Sequence, residues 1–157
     1  HLLVRSLVHM DNPDHQLYRS LTQKWFAPPN LESLKKDIRN IAKEYVNKMV
    51  DHGNECDFAK DVAIFYPLRV IMSILGVPKE DEPRMLRLTQ ELFGGRDEDM
   101  IRDESETSSE SNTITDFFEY FNALTEDRRK NPTNDVSSVI ANAKINNEQL
   151  GHLEAMS

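Results

Sequence analysis

Two residues in one short segment have the types and spacing needed to hold an anion. His15 and Arg19 are four residues apart, so a helix would project both side chains from one face. An imidazole and a planar guanidinium placed in this way suit a carboxylate or a phosphate, through charge-assisted hydrogen bonds. The positive end of the helix dipole would add to the attraction. Local ion pairs with Asp11 and Asp14 are the alternative interpretation of the same pattern.

The other chemistry-bearing residues match no common catalytic or metal-binding motif. The five histidines have neither H-x-x-x-H nor H-E-x-x-H spacing, and the chain contains no G-x-S-x-G, P-loop or G-x-G-x-x-G. The single cysteine, Cys56, lies between Glu55 and Asp57, whose charges disfavour a thiolate. We therefore expect Cys56 to have no catalytic role.

Composition limits the classes of partner. The 157 residues carry 27 acidic and 19 basic side chains, a net charge of −8, which argues against general nucleic-acid binding. A hydrophobic content of 38% is sufficient for a packed core. No apolar run approaches the roughly 20 residues that span a bilayer, and the first ten residues lack a secretory pattern. These features predict a cytoplasmic protein without an internal disulfide.

The elements that must position these residues are predicted to be mainly helical. A first helix is expected from Asn12, as N-cap, to about Phe26, because Pro13 suits a first helical position. Further helices are expected at 31–49, 67–76, 79–93, 113–130 and 135–143, from apolar residues spaced by three and four. A last helix is expected near Asn146, where Gln149 has capping-box spacing. Residues 94–112 are predicted to form a mobile connection, and residues 56–59 a short extended piece.

Four stretches, in order along the chain, resemble the cytochrome P450 family, the haem-thiolate monooxygenases. The segment MDNPDHQLYRSLTQKWFAPPNLESL is similar to the family's signature helix, M-D-x-P-x-H-x-x-x-R followed by Phe and Pro. VIMSILGVPKED resembles the buried middle helix and its exit turn. DRRKNPTNDVSSVIANAK and INNEQLGHLEAMS resemble the approach to the long central helix and its first turns.

The resemblance implies a fold and a role for the first motif. It implies a partial cytochrome P450 fold, helices C to H and the start of I, with 1–157 as a fragment of one larger domain. His15 and Arg19 then match the residues that donate to the haem propionates. The sequence stops before A-G-x-D/E-T, the E-x-x-R pair and the cysteine loop that ligates iron, and Cys56 does not match that ligand. The fragment alone is therefore expected to be inactive.

The same resemblance implies a substrate and an electron donor for the full-length enzyme. That enzyme would hydroxylate a small apolar compound, terpenoid- or sterol-like, with O2 and electrons from a ferredoxin-type partner. The helices flanking residues 94–112 would roof the substrate pocket, which Leu7, Val8, Leu92 and Phe93 would line. Ordinary packing is the alternative role for these four residues.

The resemblance also implies that the electron donor docks near the first helix. Lys24 and Lys35, or Lys36, are candidates to meet an acidic ferredoxin, although a solvated surface role is the alternative for any single lysine. The rival interpretation of the whole chain is a non-enzymatic helical interaction domain, which would bind proteins through its Phe117/Phe118/Phe121 stripe. Such a domain would fold alone and would need no haem.

Overall fold

The computed structural model describes residues 6–53, 55–93 and 110–156, and helices dominate these ranges. The elements in chain order are α1 (Asp14–Gln23), α2 (Pro28–Asp51), α3 (Phe65–Leu75), α4 (Glu82–Phe93), α5 (Glu110–Lys130), α6 (Val136–Ala141), β1 (Lys144–Ile145), β2 (Glu148–Gln149) and α7 (His152–Ala155). Short 3-10 turns cover Leu7–His9 and Lys79–Asp81, and a π-helical turn covers Ala59–Ala63. The predicted mainly α class is confirmed.

Helix α1 differs from its predicted bounds at both ends. It begins at Asp14, after a cis Asn12–Pro13 bond, and the Asn12 side chain does not cap it. Instead the backbone carbonyl of Asp11 accepts from the His15 N–H at 3.0 Å. At the other end the Trp25 N–H bonds the Thr22 carbonyl at 3.0 Å, a tighter turn that ends the helix before Phe26.

The extended piece predicted at residues 56–59 is wrong, because this segment begins a helical turn. The Asp57 carbonyl accepts from the Asp61 N–H at 2.7 Å, and the Asp57 carboxylate accepts from the Lys60 N–H at 3.1 Å. The π-helical turn leads directly into α3, which therefore starts at Phe65 rather than Pro67.

The helix predicted to start near Asn146 is also wrong, since a hairpin occupies this position. Asn146 and Asn147 have φ values of 54° and 68° and form the turn between β1 and β2. Asparagine tolerates this left-handed conformation better than most residues. Helix α7 starts only at His152, where the Glu154 carboxylate accepts from the Gly151 N–H at 2.9 Å.

The main core lies where α3, α4 and α5 meet. Its largest fully buried side chains are Met72 of α3 and Leu88 of α4, and Tyr120 and Leu124 of α5 pack with them. Not every apolar side chain of α3 faces this core, since Ile71, on another side of the helix, is 52% exposed. A second cluster joins Ile41 and Tyr45 of α2 to the π-helical turn. These contacts fix α5 against α4, which sets the geometry of the cavity described below.

A buried ion pair joins the end of α5 to the start of α6. Arg128 Nε donates to Asp135 Oδ2 at 2.8 Å, and Arg128 Nη2 donates to the Gly76 carbonyl, also at 2.8 Å. Asp135, which is 5% exposed, caps α6 by accepting from the Ser138 N–H at 2.6 Å, and the Thr133 hydroxyl also donates to it. This junction therefore fixes the ends of α3, α5 and α6 together.

The predicted connection at residues 94–112 falls largely outside the described residues. Only residues 110–112 are described, and they form the first turn of α5 rather than part of a connection. None of the described helices combines the length and apolar composition needed to cross a membrane.

Candidate functional site

The first candidate site is the cationic face of α1. His15 is half-buried and Arg19 is exposed. Within the described part of the chain, neither side chain forms a hydrogen bond or an ion pair, so the alternative of local pairing with Asp11 or Asp14 is not seen there. An imidazole and a guanidinium one helical turn apart can therefore both donate to an external anion. The role of His15 and Arg19 as hydrogen-bond donors to the haem propionates remains a prediction.

Helix α1 is held at its ends and edges rather than by a core of its own. None of its ten residues is buried, and it packs against α6 and the 3-10 turn at Leu7–His9. Trp25, just after the helix, is 9% exposed and anchors its exit. The Tyr18 hydroxyl donates to Glu154 Oε1 of α7 at 3.1 Å. These contacts position the face that carries His15 and Arg19.

The second candidate site is an apolar cavity of about 690 Å³ beside α5. Its walls are formed by Ser6, Val8, His9, Leu92, Ile114, Phe117, Phe118, Phe121 and Met156. The rings of Phe117 and Phe121 stack, with centroids 6.1 Å apart and planes at 3°. Ser6 Oγ lies 2.7 Å from His9 Nδ1, so one edge of the cavity carries polar groups. Such an arrangement suits a mostly apolar ligand with few polar atoms.

The structure brings together two of the four residues predicted to line a substrate pocket. Val8 and Leu92 both face the cavity, and Val8 is 91% exposed. Leu7 is half-buried and is not among the wall residues, and the Phe93 side chain lies outside the described residues. Whether any of them contacts substrate stays a prediction.

The sequence interpretation missed the aromatic wall that α5 contributes. The spacing of Phe117, Phe118 and Phe121 by one, three and four identifies one face of a helix without showing what covers that face. Phe117 and Phe121 do pack against the main core, yet all three also line the cavity. The signal that could have identified them is their position in one of the two helices that the resemblance places over the pocket.

The residues predicted for partner docking, and the cysteine, lie on the surface. Lys24 and Lys35 are exposed, and Lys35 Nζ lies 2.5 Å from Glu32 Oε1 on the same helix. Cys56 is exposed as well. Among the described residues, no group of three or more His, Cys, Asp or Glu side chains could hold a metal ion.

Displaced pKa values occur in the helix junctions. Burial and a 2.7 Å hydrogen bond to Asp81 raise the pKa of Tyr120. Burial acts to raise the pKa of Asp135, but hydrogen bonds from Thr133, Ser138 and Arg128 outweigh it and leave the pKa lowered. Both shifts are explained by structural contacts rather than by a catalytic arrangement.

Comparison with known proteins identifies a consistent set of relatives, although no family model matches. The chain is 43% identical over 150 residues to cytochrome P450-terp of a Pseudomonas species, covering 91% of this chain and 35% of that relative. It is 28% identical over 144 residues to a steroid C26-monooxygenase of Mycolicibacterium smegmatis, covering 92% of this chain and 32% of that relative. The solved structure of CYP108D1 from Novosphingobium aromaticivorans aligns with a TM-score of 0.81 at 45% identity, covering 98% and 35%. The chain thus spans about a third of the length of these relatives.

Proposed function

We propose that this chain, which belongs to the cytochrome P450 family, is part of a longer cytoplasmic haem-thiolate monooxygenase. The observation that carries the proposal is the pairing of two features that such an enzyme needs, a cationic helix face and a separate apolar cavity. The high structural similarity over nearly the whole chain supports the same assignment. Within the described ranges the exposed Cys56 is the single thiol, and it does not match the family's iron-ligating cysteine, so the chain alone is expected to be inactive.

His15 and Arg19 fit the acidic edge of haem. The two propionate carboxylates need donors, and these side chains supply a ring N–H and a forked guanidinium from one face of α1. A hydrogen bond to a charged group contributes on the order of 1.5–3 kcal/mol, and partial burial at His15 limits competition from water. Haem, when bound through a cysteine thiolate, supplies the oxygen-activating chemistry.

The cavity beside α5 supports a small apolar substrate, terpenoid- or sterol-like. Its volume of about 690 Å³ lies within the range of pockets for such molecules. The aromatic wall would exclude water and bind a rigid hydrocarbon skeleton through its faces. Ser6 and His9 at one edge could orient a hydroxyl or carbonyl group of the substrate. One relative is a steroid monooxygenase, which agrees with a substrate of this class.

Electrons are proposed to come from a ferredoxin-type partner that docks near Lys24 and Lys35. Both side chains are exposed and could meet acidic groups of that partner. Charge reversal at Lys24 should slow association at low salt more than reversal at Lys144, an exposed lysine of the hairpin, and the difference should vanish at high salt. Equal rates for the two variants would remove Lys24 from the docking surface.

The function is tested most directly by the spectrum of the full-length protein. Reduced protein exposed to CO should absorb at the position specific to thiolate-ligated haem, and the reading frame beyond Ser157 should encode F-x-x-G-x-x-x-C. Absence of haem, or absence of that cysteine, would refute the proposal and favour a non-enzymatic interaction domain.

The substrate class is tested by titrating the full-length enzyme with terpenes and sterols while monitoring the haem spin state. Phe118→Ala should weaken the tightest ligand about tenfold, since a buried aromatic contact contributes on the order of 1.5 kcal/mol or more. Phe58→Ala is a matched control, because Phe58 is 60% exposed and lies outside the cavity walls. Equal ligand affinities in Phe118→Ala and Phe58→Ala would show that the substrate does not bind in this cavity.

A further inference from the structure

One hydrogen bond ties the cationic helix to a distant part of the chain. The Tyr18 hydroxyl of α1 donates to Glu154 Oε1 of α7 at 3.1 Å, across 136 positions of sequence. Because α1 contributes no buried residue, its rotation about its own axis is not fixed by a packed core. A long-range side-chain contact therefore has more influence on the orientation of α1 than it would on a buried helix.

Glu154, the acceptor of this bond, is itself held in place. Its second carboxylate oxygen accepts from the Gly151 N–H at 2.9 Å, which fixes the side chain against the first turn of α7. Helix α7 is in turn tied to α5, because His152 Nδ1 lies 2.8 Å from Asn122 Oδ1. Arg129 of α5 donates to the Leu150 carbonyl at 2.5 Å and approaches His152 Nε2 at 3.1 Å. The acceptor of the Tyr18 hydroxyl is thus anchored to the longest helix near the cavity.

Tyr18 is a neighbour of His15 on the helix surface and is covalently next to Arg19 in the same rigid helix. It follows His15 by three positions and immediately precedes Arg19. Residues three apart are neighbours on a helix, so a rotation that moves Tyr18 away from Glu154 also redirects the imidazole and the guanidinium. The Tyr18–Glu154 bond consequently contributes to the direction of both side chains.

We propose that Tyr18 and Glu154 are positioning residues for the haem propionates, an inference that rests on the proposed function. They do not contact the cofactor. They hold α1 at the rotation in which His15 and Arg19 can both donate to it. A binding constellation is effective only when its supporting contacts hold it close to the productive geometry.

The test is the rate at which the ferric full-length enzyme releases haem to excess apomyoglobin. Tyr18→Phe and Glu154→Ala should each speed release about three- to tenfold, the effect expected from the loss of one intramolecular hydrogen bond of ordinary net strength. Glu154→Gln retains an acceptor oxygen and should stay within about twofold of wild type. Ser20→Ala is the control, since its hydroxyl bonds the Leu17 carbonyl within α1 at 2.7 Å, and it should leave the rate unchanged.

Two further measurements separate positioning from simple stabilisation. In a double-mutant cycle, Tyr18→Phe should add little to Glu154→Ala, because the two residues act through one bond. In the His15→Ala/Arg19→Ala double variant, adding Tyr18→Phe should not change the rate of haem release further. The two side chains that Tyr18 is proposed to position are absent from that variant. If Tyr18→Phe speeds haem release by the same factor in that double variant as in wild type, the inference is overturned.

The failure of this inference is distinguishable from the failure of the proposed function. If wild-type protein contains no haem, the proposed function fails. If it contains haem and Tyr18→Phe releases it no faster than Ser20→Ala, only the positioning role fails.

Discussion

The α5–α6 junction and helix α1 both carry arginines, but they use them in opposite ways. Arg128 has three acceptors within the chain, on Asp127, Asp135 and Gly76. Arg19 has no side-chain partner among the described residues. A charge that is neutralised internally holds the fold together, whereas a charge left without a partner can serve a ligand. The difference shows that the residue type alone does not identify a site.

Burial separates the two regions in the same way. At the junction Asp135 is 5% exposed and accepts several hydrogen bonds, so replacing one partner leaves a buried group unsatisfied. On α1 no residue is buried, so substitutions there disturb little of the fold. Urea unfolding of haem-free full-length chains measures the stability of each region without a contribution from ligand binding.

The largest effect on stability is expected for Arg128→Ala. This change leaves the Asp135 carboxylate buried and without its cation, and should lower the free energy of unfolding by about 3–5 kcal/mol. Lys130→Ala, an exposed position at the end of the same helix, should change it by less than about 0.5 kcal/mol. Similar urea midpoints for the two variants would contradict a structural role for the junction.

A smaller but substantial loss is expected for Gly76→Ala. Gly76 has a φ of 69°, and a Cβ there would overlap the Asp135 carboxylate. The left-handed backbone and the displaced carboxylate together should lower the free energy of unfolding by about 2–4 kcal/mol. Gly53→Ala is the matched control, because Gly53 has a φ of 88° and open space around it, and it should cost only about 1 kcal/mol. Equal losses of unfolding free energy in Gly76→Ala and Gly53→Ala would show that backbone conformation alone, and not the contact with Asp135, causes the destabilisation.

The pH dependence of stability should also originate in the junction. The pKa of Asp135 is lowered in the folded state, so its carboxylate stabilises the fold above the unfolded pKa of about 3.9. That contribution is lost as pH falls through the lower folded pKa. Asp135→Asn should therefore be less stable than wild type at pH 7, and the difference should narrow below about pH 4. If the difference in urea midpoint between Asp135→Asn and wild type is the same at pH 7 and below about pH 4, the assignment of this pH dependence to Asp135 is refuted.

The smallest effect on stability is expected on α1, where the comparison is sharpest. Arg19→Ala should change the free energy of unfolding of the haem-free chain by less than about 0.5 kcal/mol. The same substitution should speed haem release from the loaded enzyme about tenfold or more, from one lost charge-assisted bond. If Arg19→Ala destabilises the chain as Arg128→Ala does, the distinction between the two regions is wrong.

The sequence predicts those parts of the fold whose local signals agree with packing. The apolar stripe of α2 and the Asp135 start of α6 were predicted, because spacing and cap residue indicate the same element there. The hairpin at Asn146 was not, since two asparagines followed by Glu148 and Gln149 suit a helix cap as well as a left-handed turn. Only the pairing of β1 with β2 distinguishes these outcomes.

The candidate sites show the same limit. The spacing of His15 and Arg19 can be read from the sequence, but only the fold shows that neither side chain has a partner among residues 6–53, 55–93 and 110–156. The cavity was half predicted, through Val8 and Leu92, because the family resemblance assigned both residues to the pocket wall. The phenylalanines of α5 were not assigned to it, because one stripe can face a core and a cavity at once.

The shared use of Phe117 and Phe121 has a consequence for altering substrate range. Both rings pack against the main core and also line the cavity, so replacing either one by a smaller side chain to admit a bulkier molecule would weaken the folded chain as well. Phe118 and Ile114 also line the wall but lie outside the main core cluster. Selection for new chemistry, in nature or in a directed-evolution library, should therefore accumulate changes at these two positions first.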